Sequence, residues 1–391
     1  MTPARTYPAR RDDVRLLVVD PRAGLFAETR TTALADLLSA GDLLVVNDAA
    51  TLPASLRGQD ARGRAIEIRL LSVADPDSDG GGARFWAALL GAGDWRQRTE
   101  DRPAPPELQV GERLRFGELG AQIVARAALS PRLLAVRFDA GDDALWAALY
   151  RQARPVQYSY LEHELPLWAV QTVYAARPWA FEMPSAGRPL SWETLLALRR
   201  RGVGLAALTH AAGLSATGDP VLDAALPLPE RYEIPAVTVH AIADTRARGG
   251  RVIAVGTTVV RALEGAAAAG RLRAGAGTTD LRIGPGFHPR VVDGILSGTH
   301  AAGETHFALL TAFADTSLLE GAIAYADQHG FQTHELGDAM LVAPGTLVSC
   351  LAAAGSAGPD QNKYIKRTRP LNMVCATRAV PPCRSSRTPL S

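Results

Sequence analysis

The 391-residue sequence contains only three cysteines, Cys350, Cys375 and Cys383, all beyond residue 349. No two are spaced as Cys-x-x-Cys, so neither a zinc site nor a framework of structural disulfides is indicated. There is no run of 18 apolar residues, which excludes a transmembrane helix. The opening stretch MTPARTYPARRDD lacks the apolar core of a signal peptide. These absences lead to the expectation of a cytoplasmic enzyme without structural disulfides, without a metal and without a membrane partner.

What is present can build a substantial core: 47% of residues are apolar and 21% are charged. The length suggests two or three domains. The net charge of +2 hides an asymmetry. Residues 343–391 carry seven Lys or Arg and one Asp, and the remainder holds 35 basic against 39 acidic residues. The segment 344–391, rich in Pro, Ser, Thr and Arg, reads as a basic, disordered tail.

Short apolar runs set out the order of elements. Residues 15–20 and then "LFAETR" read as a hairpin, residues 32–40 as a helix closed by Gly41, and residues 42–48 as a buried strand. From about residue 56 to 149 the pattern becomes a series of strand-like runs (65–73, 84–90, 112–117, 121–129, 132–139) separated by turn clusters. That spacing suggests a small antiparallel barrel or sandwich inserted into another domain. Beyond residue 150, helices and strands alternate. Residues 192–202 form a helix capped by Ser191, residues 204–210 a strand, 305–314 and 318–330 helices, and 338–342 a last strand. The expected fold is mixed α/β: a larger discontinuous α/β domain (1–55 and 150–343) with an inserted β-barrel (56–149).

Several strands end in polar residues: Asn47 and Asp48, Thr209 and His210, Thr257 and Thr258. In "GGRVIAVGTTVVRALE" (249–264) a buried strand stops on Gly256 and a helix begins at once. The segment has neither the GxGxxG fingerprint nor a Walker P-loop. One of the two threonines is expected to cap the helix, whose first N–H groups would face a polar ligand. Arg261 and Glu264 lie about a turn further on. Asp293 and His300 occur in "VVDGILSGTH", and Glu304 follows His300 at the spacing that would share a helix face, an acid–base arrangement. If these ends converge, they form a mixed pocket suited to a nucleoside or sugar.

The blocks "LADLLSAGDLLVVND", "QTVYA" (171–175), "GGRVIAVGTTVVRALE", "TTDLRIGPGFHPRVVDGILSGTH" and "GDAMLV", together with "RDDVRLLVVD", stand in an order that resembles the S-adenosylmethionine:tRNA ribosyltransferase-isomerases of queuosine biosynthesis, over residues 11–342. The resemblance implies an L-shaped protein with an inserted β-barrel. It also implies transfer and isomerisation of the ribosyl part of S-adenosylmethionine onto the 7-aminomethyl-7-deazaguanine of a tRNA wobble position, giving epoxyqueuosine and releasing adenine and methionine. Such a reaction needs a base for the acidic C5′ hydrogens beside the sulfonium, an acid for the departing adenine, and no metal. The residues expected to supply catalysis are His300, Asp293, Asp280, Glu304 and His210. Those expected to contact S-adenosylmethionine are Thr257, Thr258, Gly256, Arg261, Asn47, Asp48 and Tyr174.

This chain departs from the family pattern in four places. "NDTRVIPARL" becomes "NDAATLPASL", replacing two arginines by Ala50 and Ser55. "PTAGLHFT" becomes "PSAGRPLS", which loses a histidine at Pro189. "HVGAGTF" weakens to "HAAGLSA" from His210. "NFHLPKST" becomes "GTHAAGET", with Gly303 where a lysine stood. The lost cations would have contacted tRNA phosphates or the methionine carboxylate, so the expected hold on tRNA is weakened. Two other readings follow: a divergent paralogue acting on a different small acceptor, and a non-catalytic binding module. A monomer or small homo-oligomer is expected.

Overall fold

The computed structural model describes residues 1–74 and 83–347, together with the backbone of Asn372–Val374. Ten strands form the larger sheet. Its middle consists of four parallel neighbours, in the spatial order Gly204–His210, Leu43–Asn47, Val252–Val255 and Gly294–Gly298. On one side the sheet continues antiparallel through Glu230–Ile234 to Gly275–Thr279. On the other it continues through Ala339–Val342, Arg15–Asp20 and Leu25–Arg30.

The central strands Leu43–Asn47 and Val252–Val255 are buried on both faces, as their continuous apolar runs require. Along Leu43–Asn47 the side chains alternate between two cores. Leu43 and Val45 pack with Val259, Val260 and Leu263 of the helix Thr257–Ala267 and with Leu319 and Ile323 of the helix Thr316–Gln328. Leu44 and Val46 face Leu34 and Leu37 of Leu34–Leu37 and Leu195 and Leu198 of Trp192–Arg200. The hydroxyl of Ser191 accepts from the Thr194 N–H and caps that last helix, as its sequence signature suggested.

The strands between Ser55 and Phe138 close into a six-stranded antiparallel barrel. Around its circumference they run Leu119–Arg126, Leu133–Phe138, Arg84–Leu90, Ala65–Val73, Ser55–Asp60 and Arg113–Phe116. Phe85, Phe116 and Phe138 fill the interior, and Leu145, Ala148 and Leu149 of the helix Asp142–Gln152 join the same core.

Three local expectations need correction. The helix expected over 32–40 is only a 3-10 turn, Thr31–Ala33, followed by Leu34–Leu37, because Leu38 turns extended. The helix expected over 305–314 spans Thr305–Leu310. Residues 300–304 are not helical, and Glu304 is the N-cap of that helix. The tail expectation lies outside the described residues, except for 344–347 and for the backbone of Asn372–Val374, which pairs antiparallel with Leu25–Arg30.

Candidate active site at the strand ends

The four parallel strands deliver their C-terminal ends to one edge of the sheet, so Asn47, Asp48, Thr209, His210, Gly256 and His300 come together there. This is the convergence that the polar strand ends implied, and ligands in open α/β sheets bind outside such ends.

Asn47 is 2% exposed and fully engaged. Its Nδ2 donates to the His210 carbonyl at 3.0 Å and lies 3.4 Å from the Thr258 hydroxyl. Its Oδ1 accepts from the N–H groups of His210 at 2.9 Å and Ala49 at 3.1 Å. The amide therefore locks two strand ends and the following helix into register. Asp48, half-buried beside it, accepts from the Thr209 hydroxyl at 2.6 Å.

Gly256 holds φ +90°, a conformation natural to glycine, and is itself the N-cap of Thr257–Ala267. No side chain caps this helix, so neither Thr257 nor Thr258 is the cap that the sequence suggested. Both threonines are half-buried at the strand-end edge, where the first N–H groups of the helix are uncapped by any hydroxyl.

One turn on, Arg261 forms an ion pair with buried Glu230. Glu230 also accepts from the Gly213 N–H at 2.7 Å, and its Oε2 is 3.4 Å from Nε2 of His210. His210 is fully buried, and neither ring nitrogen has a hydrogen-bond partner among the described residues. Burial, reinforced by Arg261, pulls its pKa well below the usual histidine range, so the ring is neutral. Burial pushes the Glu230 carboxyl up despite Arg261.

Nearby, Glu182 accepts from the Tyr158 hydroxyl and from the Ser215 hydroxyl at 2.8 Å and N–H at 3.1 Å. Burial raises its pKa, and its charge also pushes Glu230 up. Behind Tyr158, Arg69 lies 5.4 Å over the ring and donates to Glu67 at 2.8 Å. Arg102 donates to the same carboxylate at 2.6 Å. This group joins the barrel to the sheet.

A histidine group completes the edge. His300 stacks on His306 with centroids 4.7 Å apart, and its Nδ1 is 3.3 Å from Glu304. The expected His300–Glu304 pair therefore forms, but across a turn rather than along a helix. The hydrogen bond from His300 holds Glu304 below its usual pKa. Burial, helped by His300 and Arg261, pulls His306 down to about 3. His334 stacks on Tyr160 at 4.5 Å.

Two expected residues are not brought into this group. Asp293 is exposed at the opposite edge, where its Oδ2 accepts from the Val252 N–H at 2.8 Å and pins the start of that strand. Asp280 is exposed beyond the end of the edge strand Gly275–Thr279, without a hydrogen bond to the described residues. Glu264 is structural: its carboxylate accepts from the N–H groups of Arg290, Val291 and Val292, each at 2.9 Å.

Glu230 was missed for a topological reason. Its strand runs antiparallel to its neighbour, so its first residue, not its last, lies at the site edge. Glu182 follows the short strand Arg177–Ala180, which carried no clear period in the sequence. Among the described residues no group of three or more His, Cys, Asp or Glu could hold a metal, and no helix is long and apolar enough to cross a membrane.

The sequence profile of the queuosine biosynthesis protein family matches residues 2–342. A protein of Trichlorobacter lovleyi named S-adenosylmethionine:tRNA ribosyltransferase-isomerase is 35% identical over 345 residues, covering 86% of this chain and 95% of its own. A protein of Gloeobacter violaceus with the same name is 36% identical over 343 residues, covering 86% and 90%. The crystal structure of an S-adenosylmethionine tRNA ribosyltransferase from Thermotoga maritima covers 87% of this chain and 95% of its own, with 25% identity and a TM-score of 0.46.

Proposed function

The chain belongs to the queuosine biosynthesis protein family, and on that premise we propose that it is an S-adenosylmethionine:tRNA ribosyltransferase-isomerase. It transfers and isomerises the ribosyl moiety of S-adenosylmethionine onto 7-aminomethyl-7-deazaguanine in tRNA, gives epoxyqueuosine, and releases adenine and methionine. The observation that carries this reading is the match to relatives of that name over most of both chains.

The strand-end geometry supports a division of labour. S-adenosylmethionine, the ribosyl donor, lies against Gly256, Thr257, Thr258, Asp48 and Tyr174, with Asn47 and Arg261 holding that surface in place from behind. His300, oriented by Glu304, removes the acidified C5′ proton. Neutral His210 and buried Glu230, held by its ion pair with Arg261, flank the ribose and adenine. Asp280 and Asp293 have no part in this scheme. The reaction needs no metal, and the cytoplasm is its setting. The barrel, residues 56–149, is an insertion into an α/β domain built from 1–55 and 150–343.

The test is adenine release from S-adenosylmethionine with and without tRNA bearing the deazaguanine, read beside the mass of the tRNA. Release that depends on this tRNA, with the mass gain of an epoxycyclopentanediol, is expected. A second reading, a smaller acceptor, draws on the cations near the site. Arg177, Arg261 and the Arg69–Arg102 pair are each engaged by Glu233, Glu230 and Glu67, and Ala50, Ser55 and Gly303 supply none. Adenine release with small amines and no tRNA would favour it.

A further inference from the structure

Two arginines at the margin of the strand-end group have no acid among the described residues to balance them. Arg11 donates its Nη1 to the carbonyls of Gln171 at 2.6 Å and Arg188 at 3.1 Å. Arg188, 4% exposed, donates its Nε to the Ala169 carbonyl at 2.9 Å. The acceptors of both guanidiniums are neutral backbone oxygens, and no Asp or Glu among the described residues acts on either charge. Burial and the repulsion of Arg11 bring Arg188 down to about 10. Holding Arg188 out of water beside half-buried Arg11 costs several kcal/mol without a counter-ion, and none of the described residues supplies one, so this position favours an anion.

The surroundings specify where that anion sits. Tyr174 feels both Arg11 and Asp48, and its hydroxyl makes no hydrogen bond to the described residues. Burial pushes its pKa up, so it stays an O–H donor. A Cβ at Gly187 would overlap that hydroxyl, so glycine is what lets Tyr174 reach this position. Ala186, next in the same turn, lies 3.4 Å from where a Cβ on Gly256 would stand, so the turn abuts the start of the helix Thr257–Ala267. Arg188 also lies 5.8 Å over the Tyr7 ring, which closes it from outside.

We propose that Arg11, Arg188 and the Tyr174 hydroxyl form a carboxylate subsite that receives the α-carboxylate at the methionyl end of S-adenosylmethionine. The proposal rests on the donor assigned above. The donors are of one kind, and a guanidinium fork matches a planar carboxylate. Arg188 is 4% exposed beneath the Tyr7 ring, which disfavours a polynucleotide backbone as its anion. Arg188 stands where the family pattern "PTAGLHFT" has leucine, so this chain would hold the carboxylate with a cation of its own.

The test compares S-adenosylmethionine with its decarboxylated analogue by calorimetry on the full chain. Wild-type protein should prefer the carboxylated ligand by roughly 10- to 100-fold, the range of a charge-assisted pair. Arg188→Leu and Arg11→Gln should each reduce that preference to within a few-fold of one, with affinity for the analogue unchanged. Arg188→Lys should keep part of it, and it carries the test if Arg188→Leu does not fold. Equal loss for both ligands, or no preference in the wild type, overturns the subsite. So does a variant that loses tRNA binding but keeps the preference, because the anion is then a phosphodiester. A wild type that binds neither ligand overturns the donor reading itself.

Discussion

Gly187 shows how a single missing Cβ can shape a binding surface. Alanine there would drive the Tyr174 hydroxyl out of position, and Gly187→Ala is expected to weaken S-adenosylmethionine binding about tenfold, the scale of one lost hydrogen bond to a charged group. Calorimetry reads this directly, and unchanged affinity would remove Tyr174 from the site. The threonines after Gly256 make a different case. A threonine N-cap replaced by valine would cost about 1 kcal/mol of stability. Here the cap is Gly256, without a side-chain bond, so Thr257→Val should leave the urea midpoint nearly unchanged and lower cofactor affinity. A loss of stability with intact affinity would reverse those roles. The strand-to-helix turn itself was legible in the sequence through its glycine and threonines, although its cap is Gly256 and not a threonine. The sequence could not show that Asn47 turns inward, because the same Asn-Asp pair at a strand end serves equally well to lock strands or to meet a ligand.

Among the elements, the barrel strands were legible where their apolar period was strong, as in Ala65–Val73 and Arg84–Leu90. The strand that closes the barrel, Ser55–Asp60, was not, since Leu56 is its only large apolar residue. Gly58 lies where a Cβ would overlap the backbone of Arg115, so close strand approach takes the place of a side chain there. This strand carries Ser55 directly opposite Arg69, and the Ser55 hydroxyl donates at 2.9 Å to the Glu67 oxygen that Arg69 also contacts. Burial pushes Glu67 up, but Arg69 and Arg102 outweigh it and hold the carboxylate below its usual pKa. Glu67→Gln would strand two buried guanidiniums. It is expected to destabilise the protein by about 3–5 kcal/mol, as breaking a buried ion pair does, and urea unfolding measures it. A change below about 1 kcal/mol would mean that water reaches these arginines. The charge network was illegible because its members are far apart in sequence and meet only through the register of the barrel.

At the scale of the whole molecule, the strand-end group stores opposing proton linkages that the stability curve should reveal. His306 is held down to about 3 by burial, His300 and Arg261. Its depressed pKa contributes stability above about 6.5, and that contribution is lost as pH falls toward 3, because the unfolded chain binds the proton first. Glu335 is pushed up to about 7 by burial. A raised carboxyl works the other way: its contribution is full below about 4.5 and is lost as pH rises through 7. The two slopes oppose each other between those limits, so each is visible only as a difference from wild type. His306→Gln should match wild type near pH 7 and gain on it as pH falls, by at most about 1.4 kcal/mol per pH unit for one proton. Glu335→Gln should be the more stable protein at pH 8, by on the order of 1 kcal/mol, with the advantage gone by pH 4.5. Urea midpoints at pH 4, 6 and 8 for the three proteins suffice. A Glu335→Gln advantage that persists at pH 4 would show that the glutamine repacks the turn instead of relieving a buried charge, and a flat His306→Gln difference would place that ring in water.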